Sequence, residues 1–133
     1  MIFFNREVSD ESVNLSEKFC FVGTDPAAPG YILGQMIAEL LSTDESFRKY
    51  DLNGDGKIQY AMFRAEVGNA EADGRTKYSV SEANRILSEN ADLTVADKSG
   101  NILQRVGEDQ MANWDSATAN SMMSALFKVE NNC

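Results

Sequence analysis

Oxygen-bearing side chains alternate along Asp51-Leu52-Asn53-Gly54-Asp55-Gly56-Lys57-Ile58, and this stretch holds the residues whose types and spacing could do chemistry. Carboxylate and amide oxygens from Asp51, Asn53 and Asp55 can converge on one hard cation. Gly56 follows where the backbone must turn sharply, a geometry that glycine adopts without Cβ strain. The Lys57 carbonyl would add a further oxygen, and Gln59 is placed to hold a bridging water. Ile58 would point back into a core. The chemistry expected is coordination of calcium by Asp51, Asn53, Asp55, Lys57 and Gln59.

The flanks extend the pattern. Phe47 and Tyr50 precede the loop as apolar anchors on one face of an entering helix, and Met62-Phe63 with Val67 suits an exit helix. On these residues the segment 47–67 resembles the EF-hand family. The resemblance implies a helix–loop–helix calcium site with the ligand set named above. Met62 stands at position 12, where the family places a bidentate Glu, and a thioether is a poor ligand for a hard cation. The implied site is therefore weak or structural, at ~10⁻⁴–10⁻³ M, and not a high-affinity sensor. The family pairs its hands, and Asp97, Ser99 and Asn101 repeat the alternation, with Glu108 at position 12 of a degenerate second loop at 97–108. A β-hairpin competes for the same residues, with Thr94–Asp97 turning at Lys98–Asn101 into Ile102–Val106. Turn chemistry leaves both readings open.

The elements that must position this loop are mostly helical. Leu33, Met36, Ile37, Leu40 and Leu41 form one apolar stripe from Tyr31 onward. Ser42 and Glu45 have capping-box spacing for a short helix that carries Phe47 and Tyr50 into the loop. The exit helix is expected over 60–67 and a linker over 71–82. A helix over 81–90 would bury Ala83, Ile86 and Leu87. A last helix over 108–129 would put Met111, Trp114, Thr118, Met122, Ala125, Leu126 and Val129 on its apolar face, with a break and a new cap at Asp115-Ser116. Ile2-Phe3-Phe4 and Phe19–Val22 have strand character. Pro26 and Pro29 lie in a loop over 24–30, where the acid-labile Asp25-Pro26 bond reads as a rigid turn. The fold class expected is mainly α, an EF-hand-like helix–loop–helix pair with an extra N-terminal segment and a short β-hairpin or strand pair. Residues 1–30 would be an arm and loop, and 31–130 a single helical domain.

Composition narrows the function. A chain of 133 residues with 43% hydrophobic residues suits one globular domain. The net charge of −9 argues against nucleic acid and suits a cation or a basic protein partner. The chain has no His, which removes Ser-His-Asp and Cys-His catalysis and HExxH zinc sites, so no enzyme is expected. Cys20 and Cys133 fit no CxxC spacing; a disulfide between them and two free thiols both remain open. No run is long or apolar enough for a signal-peptide core or a membrane span, so a soluble chain is expected with its compartment unread. The functional expectation is a calcium-binding EF-hand-like protein. The alternative is a non-catalytic protein-interaction module with a vestigial loop, acting through its acidic face or through the Met122-Met123 helix.

Overall fold

Parallel strand pairs joined through helices organise the chain, and their order follows from where the sequence breaks its own periodicity. The computed structural model describes residues 1–4 and 10–130, with the side chains of residue 10 and of 127–130 left aside. In chain order the elements are β1 (Ile2–Phe4), α1 (Asp10–Val13), β2 (Cys20–Val22), α2 (Ala28–Leu40), α3 (Asp44–Arg48), β3 (Ile58–Tyr60), β4 (Phe63–Arg64), α4 (Ala70–Glu89), β5 (Leu103–Arg105), β6 (Gln110–Met111) and α5 (Ser116–Glu130). β1 pairs with β2, β3 with β5, and β4 with β6, each in parallel. Between the last two pairs the Val106 N–H donates to Tyr60 O (2.9 Å) and the Gln110 N–H to Met62 O (2.7 Å). The two pairs are thus stretches of one interrupted ladder, with α4 as the crossover that parallel pairing requires. No helix among the described residues is long and apolar enough to cross a membrane.

The expected exit helix over 60–67 is not formed. Ile58 is buried and Gln59 exposed, the alternation of a half-buried strand, and β-branched and aromatic residues favour that state. Gly68, at φ 85°, then turns the chain, and Asn69 caps α4 by accepting the Glu71 and Ala72 N–H groups (3.1 and 3.2 Å). Helix–loop–helix is replaced by helix–loop–strand. The linker expected over 71–82 is instead the first half of α4. Its Gly74 weakens an isolated helix by about 1 kcal/mol, but here it lies directly against the Pro26 carbonyl.

The same small-residue contact relocates the buried face of α2. Gly30, Gly34 and Ala38 are buried against α4, the most extensive pairing of elements in the fold. A Cβ on Gly34 would sit 2.7 Å from the Ser79 carbonyl oxygen. Of the expected stripe only Ile37 and Leu41 reach the core; Leu33, Met36 and Leu40 are exposed. That core is built on Phe47, Leu87, Leu93 and Ile102, all fully buried, with Ala83 and Leu103 beside them.

Other boundaries shift for local reasons. α2 begins inside the expected 24–30 loop, because the Asp25 carboxylate accepts the Ala27 N–H (2.8 Å) and Pro29 fits the first helical turn. The capping box of α3 is formed by Thr43 and Ser46, one residue along from the Ser42–Glu45 pair. Segment 97–108 forms neither a second hand nor a hairpin: β5 turns away from 94–97 and pairs with β3. Helix 108–129 is shortened to α5, with Met111 in β6 and Trp114 in the turn before it. Cys20 is an exposed free thiol, whereas Cys133 lies outside the described residues.

Candidate functional site

The structure brings Asp51, Asn53 and Asp55 together, and their oxygens are engaged by the loop's own backbone. Asp51 Oδ1 accepts the N–H groups of Gly54 (2.9 Å) and Asp55 (3.2 Å), and its Oδ2 accepts that of Gly56 (2.9 Å). Asn53 Nδ2 donates to Asp55 Oδ2 (2.9 Å), and Asp55 Oδ1 accepts the Lys57 N–H (2.9 Å). Gly54 and Gly56 supply the left-handed turns, at φ 72° and 77°. Lys57 then leaves the loop with its side chain buried, donating Nζ to the Asp97 carbonyl (2.6 Å) and pairing with Asp97 Oδ2 (3.1 Å). Gln59 is exposed on β3. The Asp97 N–H returns a hydrogen bond to Gly56 O (2.9 Å), so the loop locks the start of β3 beside the segment that feeds β5. Among the described residues no group of three or more His, Cys, Asp or Glu side chains gathers as a metal cluster.

A second place has the makings of a ligand site. Where β4 and β6 end and α4 and α5 begin, a cleft of about 360 Å³ opens. Ligands of parallel α/β sheets characteristically sit beyond the carboxyl ends of the strands. Phe63, Ala65 and Ala112 make part of the cleft apolar, Arg64 and Arg75 bring guanidinium groups, and Trp114 with Asp115 closes one side. Trp114 is 63% exposed. It sits at φ 65° after Asn113 at φ 48°, both in the left-handed region, and the Asp115 N–H closes the turn onto Ala112 O (2.8 Å). Two successive positive φ values are the signature of a type I′ turn. Asn adopts it readily, and a bulky aromatic does so at a cost. An exposed aromatic held in a disfavoured conformation is a feature typical of ligand sites.

The polar groups around the cleft are held in place. Asp115 caps α5, accepting the N–H of Thr118 (2.9 Å) and of Ala117 (3.3 Å). The Thr118 hydroxyl, then the Thr118 and Ala117 amides, hold its carboxyl below the ordinary value for Asp. Arg64 pairs with Asp73 on α4 and with Asp109 (3.1 Å) before β6. Burial pushes the Asp109 carboxyl up, but hydrogen bonds from Arg64 and Arg105 and their charges outweigh it, and the net shift is downward. Arg75 projects from the second turn of α4 at the exposed mouth. The arrangement offers an aromatic ring face beside the Arg75 guanidinium at the mouth and carboxylates held by hydrogen bonds, which suits a small ligand with one apolar face and a polar edge. Sequence reasoning put Trp114 on a core helix face. The signal that it lies elsewhere is the run Asn113-Trp114-Asp115-Ser116, a turn former and a helix cap on either side of the aromatic.

No family model matches the chain. Over 84 residues it is 37% identical to the D-galactose/methyl-galactoside binding periplasmic protein MglB of Haemophilus influenzae. The match takes in 63% of this chain and 24% of that protein, so the chain spans about a quarter of the length of this relative. The similarity corrects the functional expectation drawn from the loop: the protein it resembles is named for binding a sugar, which points away from EF-hand calcium binding.

Proposed function

We propose that this chain contributes part of a non-catalytic binding site for a small galactose-type sugar, located in the cleft between Arg75 and Trp114. The observation that carries the reading is the exposed Trp114 ring, held in a left-handed turn at the carboxyl end of β6. A pyranose has an apolar C–H face and a rim of hydroxyls. The Trp114 face would take the first, and the Arg75 guanidinium would donate hydrogen bonds to the second. The similarity to a galactoside-binding protein supports the same ligand class. The reading asks for no proton transfer and no nucleophile; binding alone is the output.

Titration of the full chain with galactose and methyl galactoside tests it. The chain has one Trp, so intrinsic fluorescence reports on the cleft directly. A saturable change is expected, absent in Arg75→Ala. No response up to ~10 mM, where binding is worth less than about 3 kcal/mol, overturns the reading.

A further inference from the structure

Arg64 is an unusual residue to find behind such a cleft. Its side chain is only 13% exposed, and among the described residues its Nε is buried with no hydrogen-bond partner. Burying a guanidinium costs desolvation, and leaving one of its N–H groups unsatisfied adds to that cost. A hydrophobic side chain of similar volume is often as stable in such a place. What the guanidinium does that an apolar group cannot is bridge. Nη2 pairs with Asp73, whose other oxygen accepts the Gly68 N–H (3.1 Å) at the entry to α4. Nη1 donates to Asp109 Oδ2 (3.1 Å), whose Oδ1 takes Arg105 Nη1 (2.6 Å). The backbone carbonyl of Arg64 accepts the Ala112 N–H (2.9 Å), at the first residue of the turn that carries Trp114.

We propose that Arg64 is a positioning residue of the cleft: its fork ties the first turn of α4 to the connection before β6, and so fixes the separation of Arg75 from Trp114. The proposal rests on the sugar-binding reading for its ligand. Asp73 lies two residues before Arg75, and Asp109 lies five before Trp114, so each carboxylate anchors one of the two groups that would grip the sugar. A planar five-donor fork can hold both carboxylates at once in fixed geometry; an ammonium on a flexible stem cannot.

The test uses Arg64→Lys and Asp109→Asn in the full chain. It reads galactose affinity by calorimetry, Trp114 emission and acrylamide quenching without sugar, and the urea midpoint. Each variant, still folded by its urea transition, is expected to bind about tenfold more weakly and to show altered Trp114 quenching, as a loosened turn would. A purely structural role would lower the midpoint and leave the affinity and quenching of the folded protein unchanged, and that result overturns the proposal. If the wild-type chain binds no sugar, the sugar reading fails by itself. Sugar-free quenching then decides for Arg64: wild-type quenching in both variants overturns its positioning role, and altered quenching upholds it.

Discussion

A carboxylate that satisfies several backbone N–H groups is a structural part whatever else it does. Asp51 accepts from Gly54, Asp55 and Gly56, and of these only the Asp55 N–H has a second side-chain acceptor in the loop, Asn53 Oδ1 (3.3 Å). Asp51→Ala would leave the N–H of Gly56, which is buried, without its side-chain partner. The expected cost is about 1–2 kcal/mol, read as a lower urea midpoint at unchanged slope. Trp114 is the opposite case, a residue to which the sugar-binding proposal gives more bearing on a ligand than on the fold. Its side chain is largely in solvent and its backbone is strained. Trp114→Gly relieves the strain and loosens the unfolded chain, effects of opposite sign, each about 1 kcal/mol or less. Stability should therefore stay within about 1 kcal/mol of wild type, while calorimetric galactose binding disappears. A large loss of stability would show that the ring packs where the structure leaves it exposed.

Elements meet here through what is missing from their surfaces. Gly30 and Gly34 on α2 let that helix approach the α4 backbone more closely than side chains would allow, and Gly74 on α4 makes room for the Pro26 carbonyl just before α2. Gly34→Ala drives its Cβ toward the Ser79 carbonyl and the Glu82 side chain, both 2.7 Å from the ideal position. Ala is the better helix former by about 1 kcal/mol, but overpacking against backbone costs about 1–3 kcal/mol, so the variant should be destabilised. Met36→Gln on the same helix tests the other half of the argument. Met36 is 61% exposed, and its replacement should change stability by less than about 0.5 kcal/mol. Urea titration of the pair distinguishes this packing from the stripe that periodicity suggests, in which Met36 would matter more than Gly34.

At the scale of the whole molecule, acid should find the joints between loops. Hydrogen bonds from the Ser99 hydroxyl and amide, then from Lys57, lower the Asp97 carboxyl from 3.8 to about 2. Asp44 is lowered chiefly by the Thr94 hydroxyl and amide, and Asp109 and Asp115 are lowered as well. A carboxyl depressed in the folded state contributes stability that is complete above its unfolded pKa of about 4 and is lost as pH falls through the folded value. Stability should be flat in this respect above about pH 4 and should fall between about 4 and 2. Asp97→Asn should shallow that fall. Thermal midpoints recorded across the range check both, and an identical acid profile in the variant would show that the Asp97 carboxylate carries none of the effect.

By itself the sequence determined what is local. Asp25-Pro26 as a turn, Asp115-Ser116 as a helix start and the sharp glycine turn at 54–56 are all present, because a short side chain bonding its own backbone needs no distant partner. Strand character at 2–4 and 20–22 was legible for the same reason, since aromatic and β-branched residues cluster there. Tertiary structure decided the rest. Residues 58–60 and 63–64 became strand and not exit helix because partner strands more than forty residues away supply their hydrogen bonds. Helix α4 runs through Gly74 because the Pro26 carbonyl, in the turn just before α2, needs that gap. The candidate site divides the same way. The turn geometry of the loop at 51–59 could be read because its residues are contiguous. The cleft could not, because Arg64, Arg75 and Trp114 come from separate elements and meet only when the crossover through α4 brings the ends of β4 and β6 side by side.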